Sequence, residues 1–239
     1  VDTMFFQLVT LCLAPLLIFQ GRRVRRDTPK LPEPDGIRYG NLGEGKPLRL
    51  LIAGDSAAAG VGVETQDLAL AGMLSSRLSE HFKVSWKLVA QTGYTVSDLI
   101  QRLESESAEN YDVGLISIGV NDVTDRTSMS NWEKQVDQLS ELLRQKFSVR
   151  KVLFTSVPPM HLFPALPQPL RWYLGWRAEM LDRSMKAVLG NQPGVEVIKS
   201  FTDPDPQFMA TDGFHPGQHG YEIWASVVAQ TLLEEASVS

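Results

Sequence analysis

The chain has 239 residues, 43% of them apolar, 8% aromatic and 21% charged, which is the composition of an ordinary globular protein and excludes a disordered tail, a collagen or a coiled coil. Its length fits one α/β domain of about 200 residues. A formal charge of −5 gives no basic footprint for nucleic acid, and one cysteine with no Cys/His cluster at ligand spacing implies neither an internal disulfide nor a metal site.

The first predicted element is the uncharged run from Met4 to Phe19, interrupted only by Gln7, Thr10 and Pro15. About 20 apolar residues are needed to span a bilayer, so a strained anchor, an interfacial helix and a signal-peptide core all fit its length. Arg22, Arg23, Arg25 and Arg26 follow the run, whereas a secretory signal carries its positive charge in front. That order predicts membrane association through residues 4–26 with the basic side cytoplasmic. Two alternatives stand: a helix packed on the globular domain, or a signal over residues 1–20 that would place the protein in the periplasm or outside the cell. Residues 27–46 are rich in Pro, Gly and charge, lack periodicity and read as a linker between the 1–26 segment and a domain over 47–239.

From Pro47 onward, short aliphatic runs alternate with amphipathic stretches. Strands are predicted at Leu48–Ala53, Val84–Ala90, Val113–Ile118, Lys151–Val157 and Val195–Ile198. Helical periodicity falls near Leu68–His81, Val96–Glu106, Trp132–Phe147, Arg171–Leu189 and Gly217–Glu235. The alternation predicts βαβ units in a three-layer α/β/α sandwich around a five-stranded parallel sheet. Ligands of such sheets bind outside the carboxyl ends of the strands, which directs attention to the residues just after each one.

After the first strand comes Gly54-Asp55-Ser56-Ala57-Ala58-Ala59-Gly60, where one hydroxyl stands among small residues. Alone, that segment reads as a helix N-cap at least as well as a nucleophile. The second and third strand ends supply Gln91-Thr92-Gly93-Tyr94-Thr95 and Gly119-Val120-Asn121-Asp122. A glycine N–H and an asparagine amide are suitable donors to a developing oxyanion, although each segment also fits a plain turn. Between the fourth strand and its helix lies Pro158 to Trp176, proline-rich and then aromatic. Phe163, Leu166 and Trp172 are its candidate substrate-lining residues; a buried helix start with Trp172 and Trp176 on a core face is the competing possibility.

Before the last helix, Asp212-Gly213-Phe214-His215-Pro216 places a carboxylate and an imidazole three residues apart. A serine nucleophile needs an imidazole to take its proton and a carboxylate to fix the imidazole's tautomer. His219, four residues on, suits a helix face, and a metal set of Asp212, His215 and His219 has no further His or Cys to complete it.

With these blocks in order, the sequence resembles the SGNH hydrolases, also called GDSL-type esterases and lipases. Gly54–Ser56, Gly93, Gly119–Asp122 and Asp212–His215 match the four signature blocks, and the resemblance covers about residues 48–236. It implies a flavodoxin-like sandwich with Ser56 as nucleophile, His215 as base, Asp212 as its partner, and Ser56, Gly93 and Asn121 as oxyanion donors. Ala57 stands where the family often has leucine.

The expected activity is hydrolysis of a small-molecule or lipid carboxylic ester without metal or organic cofactor. An O-deacetylase of carbohydrate or envelope components and an acyl-thioesterase use the same machinery. From another class, a catalytically inactive, membrane-attached binding protein would be expected to have lost one of these residues.

Overall fold

Strand and helix alternate along the chain as the periodicity requires. The computed structural model describes residues 3–199 and 206–236, so residues 1–2 of the N-terminal segment and 200–205 and 237–239 of the domain lie outside it. Six strands form one sheet: β1 (Tyr39–Leu42), β2 (Pro47–Gly54), β3 (Lys83–Ala90), β4 (Val113–Ser117), β5 (Lys151–Thr155) and β6 (Val195–Ile198). The helices are α1 (Thr3–Asp27), α2 (Ser56–Ala59), α3 (Leu70–Leu78), α4 (Val96–Ser105), α5 (Val120–Thr124), α6 (Met129–Phe147), α7 (Leu170–Leu189) and α8 (Gln218–Ala236).

The strand order is β1-β3-β2-β4-β5-β6, with β1 antiparallel to β3 and every other pair parallel. Without β1 this is the flavodoxin-like doubly wound order, whose winding reverses between β2 and β4. The carboxyl ends of those two strands therefore border the crevice where a ligand is expected.

Both faces of the sheet are covered. Along β2, Leu50 and Ile52 join one core while Leu51 and Ala53 join the other, the two-residue period of a strand buried on both sides. Leu70, Leu74 and Leu78 of α3 and Tyr221, Trp224 and Val228 of α8 fill the first core. Leu99 and Leu103 of α4, Val136, Leu139 and Leu143 of α6 and Leu181 of α7 fill the second, at the spacing that puts apolar side chains on one helical face.

The five predicted strands are β2 to β6, and the five predicted helices are α3, α4, α6, α7 and α8. The sheet has a sixth strand instead of five, because β1 forms inside residues 27–46. Its four residues include Gly40 and Asn41, are mostly exposed and carry no apolar alternation, so an edge strand there resembles loop sequence. Residues 28–46 are thus not a free linker: Asp35 also bridges Thr65, and Arg38 donates to the Ala90 carbonyl at 2.7 Å.

Helix α1 runs through the apolar run and the arginines alike. Leu17 is buried in the second core, and the Gln20 amide donates to Gln168 O at 2.7 Å while accepting from Leu170 N at 3.1 Å. The C-terminal half of α1 is therefore docked on the start of α7, as in the packed-helix alternative, while Leu8, Leu11 and Phe19 are exposed. Among the described residues no helix is long and apolar enough to cross a membrane.

Candidate active site

β2 ends at Gly54, where a β-carbon would lie 1.9 Å from the Ser117 carbonyl of β4. Only glycine permits that approach, and it lets Asp55 N donate to Ser117 O at 3.0 Å. The Asp55 carboxylate then caps α2 by accepting from Ala57 N at 3.1 Å. Ser56 is the first residue of that helix, and its own N–H meets no acceptor among the described residues. Burial pushes the Asp55 carboxyl up to about 7, against the pull of the Ala57 N–H and His215.

Asp212 and His215 enter from the turn preceding α8. Asp212 Oδ1 accepts from Phe214 N at 2.9 Å and His215 N at 3.1 Å, and its Oδ2 lies 2.5 Å from His215 Nδ1. With Nδ1 donating to the carboxylate, His215 Nε2 is left as acceptor for the Ser56 hydroxyl, whose Oγ is 2.8 Å away. Burial opposes ionisation of Asp212, but the hydrogen bonds from His215 and the two amides hold its carboxyl below the usual range.

Gly93 adopts φ +91°, and a β-carbon there would meet nothing within 4 Å, so its backbone faces open space. Its N–H, like that of Ser56, has no acceptor among the described residues. Asn121 Nδ2 donates to Tyr94 O at 2.9 Å, and Asp122 accepts from Val96 N and Thr127 Oγ1, both at 3.1 Å. These bonds brace the loop after β4 against the loop after β3. Burial raises the Asp122 carboxyl to about 6.

A residue the sequence did not mark completes the brace. Glu33, inside the expected linker, accepts from Thr92 N at 2.6 Å and pairs with Arg38 at 2.5 Å. Burial works against its ionisation, yet the Thr92 and Arg38 bonds hold its carboxyl below the ordinary range. No local pattern could announce a contact between residues 59 apart.

Ser56, Gly93, Asn121 and His215 line one cavity of about 500 Å³, whose apolar wall includes Val120, Leu166, Leu170, Tyr173, Phe214 and Leu17 of α1. A smaller cavity of about 70 Å³ lies against Ser56, Ala57 and His215 and is bordered by Phe163, which also packs edge-on to Phe214 at 5.7 Å. Of the three predicted lining residues, Leu166 faces the larger space and Phe163 the smaller. Trp172, contrary to the expectation, lines neither: it is 41% exposed and packs on Trp176 at 5.4 Å. Because α7 begins at Leu170, the i, i+3, i+4 set of Leu170, Tyr173 and Leu174 turns toward the cavity and Trp172 turns away.

His219 lies outside both cavities, exposed, with Nδ1 3.2 Å from Glu222. No group of three or more His, Cys, Asp or Glu side chains among the described residues is placed to hold a metal ion.

Fold and site together define a hydrolase built on the flavodoxin-like sandwich. The model of the GDSL-like lipase/acylhydrolase family matches residues 52–223, and the chain belongs to that family of carboxylic ester hydrolases. The GDSL-like esterase Rv1075c of Mycobacterium tuberculosis is 25% identical over 244 aligned positions, which span 92% of this chain and 76% of that protein. Among solved structures, the psychrotrophic esterase EstA from Pseudoalteromonas sp. superposes with a TM-score of 0.63 at 15% identity, over 79% of this chain and 98% of that one. The lipase/acylhydrolase from Enterococcus faecalis gives 0.56 at 20% identity, over 77% and 95%. At these identities the structural likeness establishes the fold.

Proposed function

We propose that this chain cleaves carboxylic esters through an acyl-enzyme formed on Ser56. The observation that carries the proposal is the 2.8 Å contact between Ser56 Oγ and His215 Nε2, with His215 Nδ1 held by the buried Asp212. His215 takes the Ser56 proton as Oγ attacks the carbonyl carbon. The oxyanion so formed is met by the N–H groups of Ser56 and Gly93 and the free amide proton of Asn121. Collapse expels the alcohol, which leaves with the proton from His215. Water, deprotonated by the same imidazole, then attacks the acyl carbonyl, and the acid departs as Ser56 regains its proton.

Asp212 remains ionised throughout, fixing the imidazole tautomer and stabilising the imidazolium. No step calls for a metal or an organic cofactor. A cavity of about 500 Å³ is larger than an acetyl group requires, which favours an acyl chain of several carbons over O-acetyl removal. A thioester is open to the same attack. The exposed Leu8, Leu11 and Phe19 of α1 support peripheral contact with a lipid surface as the setting for a lipid ester.

The test is a graded panel of 4-nitrophenyl esters from acetyl to decanoyl, with an acetylated sugar and an acyl thioester alongside. Turnover is expected to peak at chains longer than acetyl and to vanish in Ser56→Ala. A folded protein that cleaves no member, or a Ser56→Ala protein as fast as the parent, would overturn the proposal.

A further inference from the structure

Resting on that acyl-hydrolase proposal, we infer that the preferred ester carries an anionic group, a carboxylate or phosphate near the ester bond, held by Arg22, Arg25 and Arg126. All three residues line the cavity that contains Ser56 and His215. Arg22 and Arg25 come from the last turns of α1, and Arg126 follows α5. No Asp or Glu lines this cavity, although the chain carries 28 acidic against 23 basic residues. The local charge is thus opposite in sign to that of the whole protein.

The basic stretch of α1 divides by helical face. Arg23 and Arg26 point elsewhere and pair with Asp27 at 3.3 and 2.7 Å. Arg22 and Arg25 share the cavity-lining stripe with Ile18 and Gly21, and neither their side chains nor that of Arg126 forms an ion pair or hydrogen bond among the described residues. Arg126 holds φ +61°, a left-handed backbone that a residue with a β-carbon adopts at a cost of about 1 kcal/mol.

Three uncompensated guanidinium groups at a cleft with low-dielectric walls concentrate positive potential and attract an anion. Their planar donor forks suit carboxylate and phosphate oxygens. The apolar wall has room for the acyl chain at the same time, so one molecule with an aliphatic acyl group and an acidic group satisfies both parts of the cavity. A soluble anionic ester and an anionic lipid headgroup present the same chemistry.

The experiment compares 4-butyryloxybenzoate with the neutral 4-butyryloxybenzamide on the full chain at low salt. The kcat/KM ratio, benzoate over benzamide, is expected to exceed about 10 and to fall toward 1 in Arg22→Gln/Arg25→Gln/Arg126→Gln and in 1 M salt. Arg126→Gln alone should lower it partway, which provides a readout if the triple variant folds poorly. Arg23→Gln/Arg26→Gln removes two positive charges from the outer side of α1, as many as the triple variant takes from this helix, and should leave the ratio in place.

Competition by phosphatidylglycerol vesicles but not by phosphatidylcholine vesicles would assign the anion to a lipid headgroup, and its absence would assign it to a soluble ester. A parental ratio near or below 1, or one that survives the triple substitution, overturns the inference while the benzamide rate still upholds the esterase proposal. No turnover of either ester by the folded protein would sink both.

Discussion

Asn121 gives one amide proton to the Tyr94 carbonyl at 2.9 Å and keeps the other unengaged among the described residues. The first bond aims the side chain from the loop after β4 toward the Gly93 turn, and the second proton is then available to an oxyanion. Asn121→Ala should lower kcat by about 10² to 10³ with a smaller change in KM, because that charge appears only after binding. Asn121→Asp, which has no amide to donate, should lose as much. If steady-state kinetics show KM rising alone, the amide contacts the ground state instead.

Among the described residues Asp212 is the only carboxylate on His215 Nδ1, and it is also fixed by two backbone amides. Asp212→Asn keeps the shape of the turn but presents the imidazole with a partner that no longer enforces the tautomer. A fall in kcat of about 10⁴ with an unchanged circular dichroism spectrum is expected. His219→Ala should stay close to the parent rate, since that ring sits on Glu222 away from the cavity. A comparable loss in both variants would contradict the assignment of His215 as base.

Glu33 acts through the Gly93 turn and touches no reacting atom, so it is a positioning residue. Glu33→Ala removes the acceptor of Thr92 N and should slow kcat roughly tenfold, about 1.4 kcal/mol, with less effect on KM. Glu33→Gln retains an oxygen for Thr92 and should recover most of the rate. Equal losses in both, tracking a lower melting temperature, would show a role confined to stability.

The buried carboxylates fix the sign of the pH dependence of stability. Asp55 is raised from 3.8 to about 7 and Asp122 to about 6, so between about pH 4 and those values the native chain holds protons that the unfolded chain has released. Their contribution is full below about pH 4 and declines as pH rises to about 7. Asp212 is depressed, so its contribution is present above 3.8 and is lost as pH falls below it. Asp55→Asn keeps an oxygen for Ala57 N and removes the titration. Its urea midpoint should gain on the parent between pH 4.5 and pH 8, with about 4 kcal/mol as the upper bound for the whole interval. A difference that does not move with pH would show that Asp55 does not titrate in this range.

The parts of the molecule set by short-range order were legible in the sequence. Strands β2 to β6 show as compact aliphatic runs, and Ser56, Gly93, Asn121, Asp212 and His215 sit in short blocks directly after strands or before α8. The contacts that were missed depend on distance or phase. An apolar helix presents the same pattern to lipid and to protein, so the docking of Leu17 beside the active site left no mark in composition. Composition favours Trp172 as much as Tyr173 for the cavity wall, and one residue of helix phase decides that Tyr173 faces inward. β1 is held by pairing Gly40 with Trp86 and Asn41 with Ser85, partners beyond any local window.

The most direct measurement is covalent labelling of the full chain with a fluorophosphonate, whose adduct mimics the tetrahedral acyl intermediate. One adduct per chain is expected, located on Ser56 by peptide mass spectrometry, with esterase activity lost in proportion to labelling and with no adduct in Ser56→Ala. An adduct on another residue accompanied by loss of activity, or a fully labelled Ser56 with activity intact, would contradict Ser56 as the nucleophile.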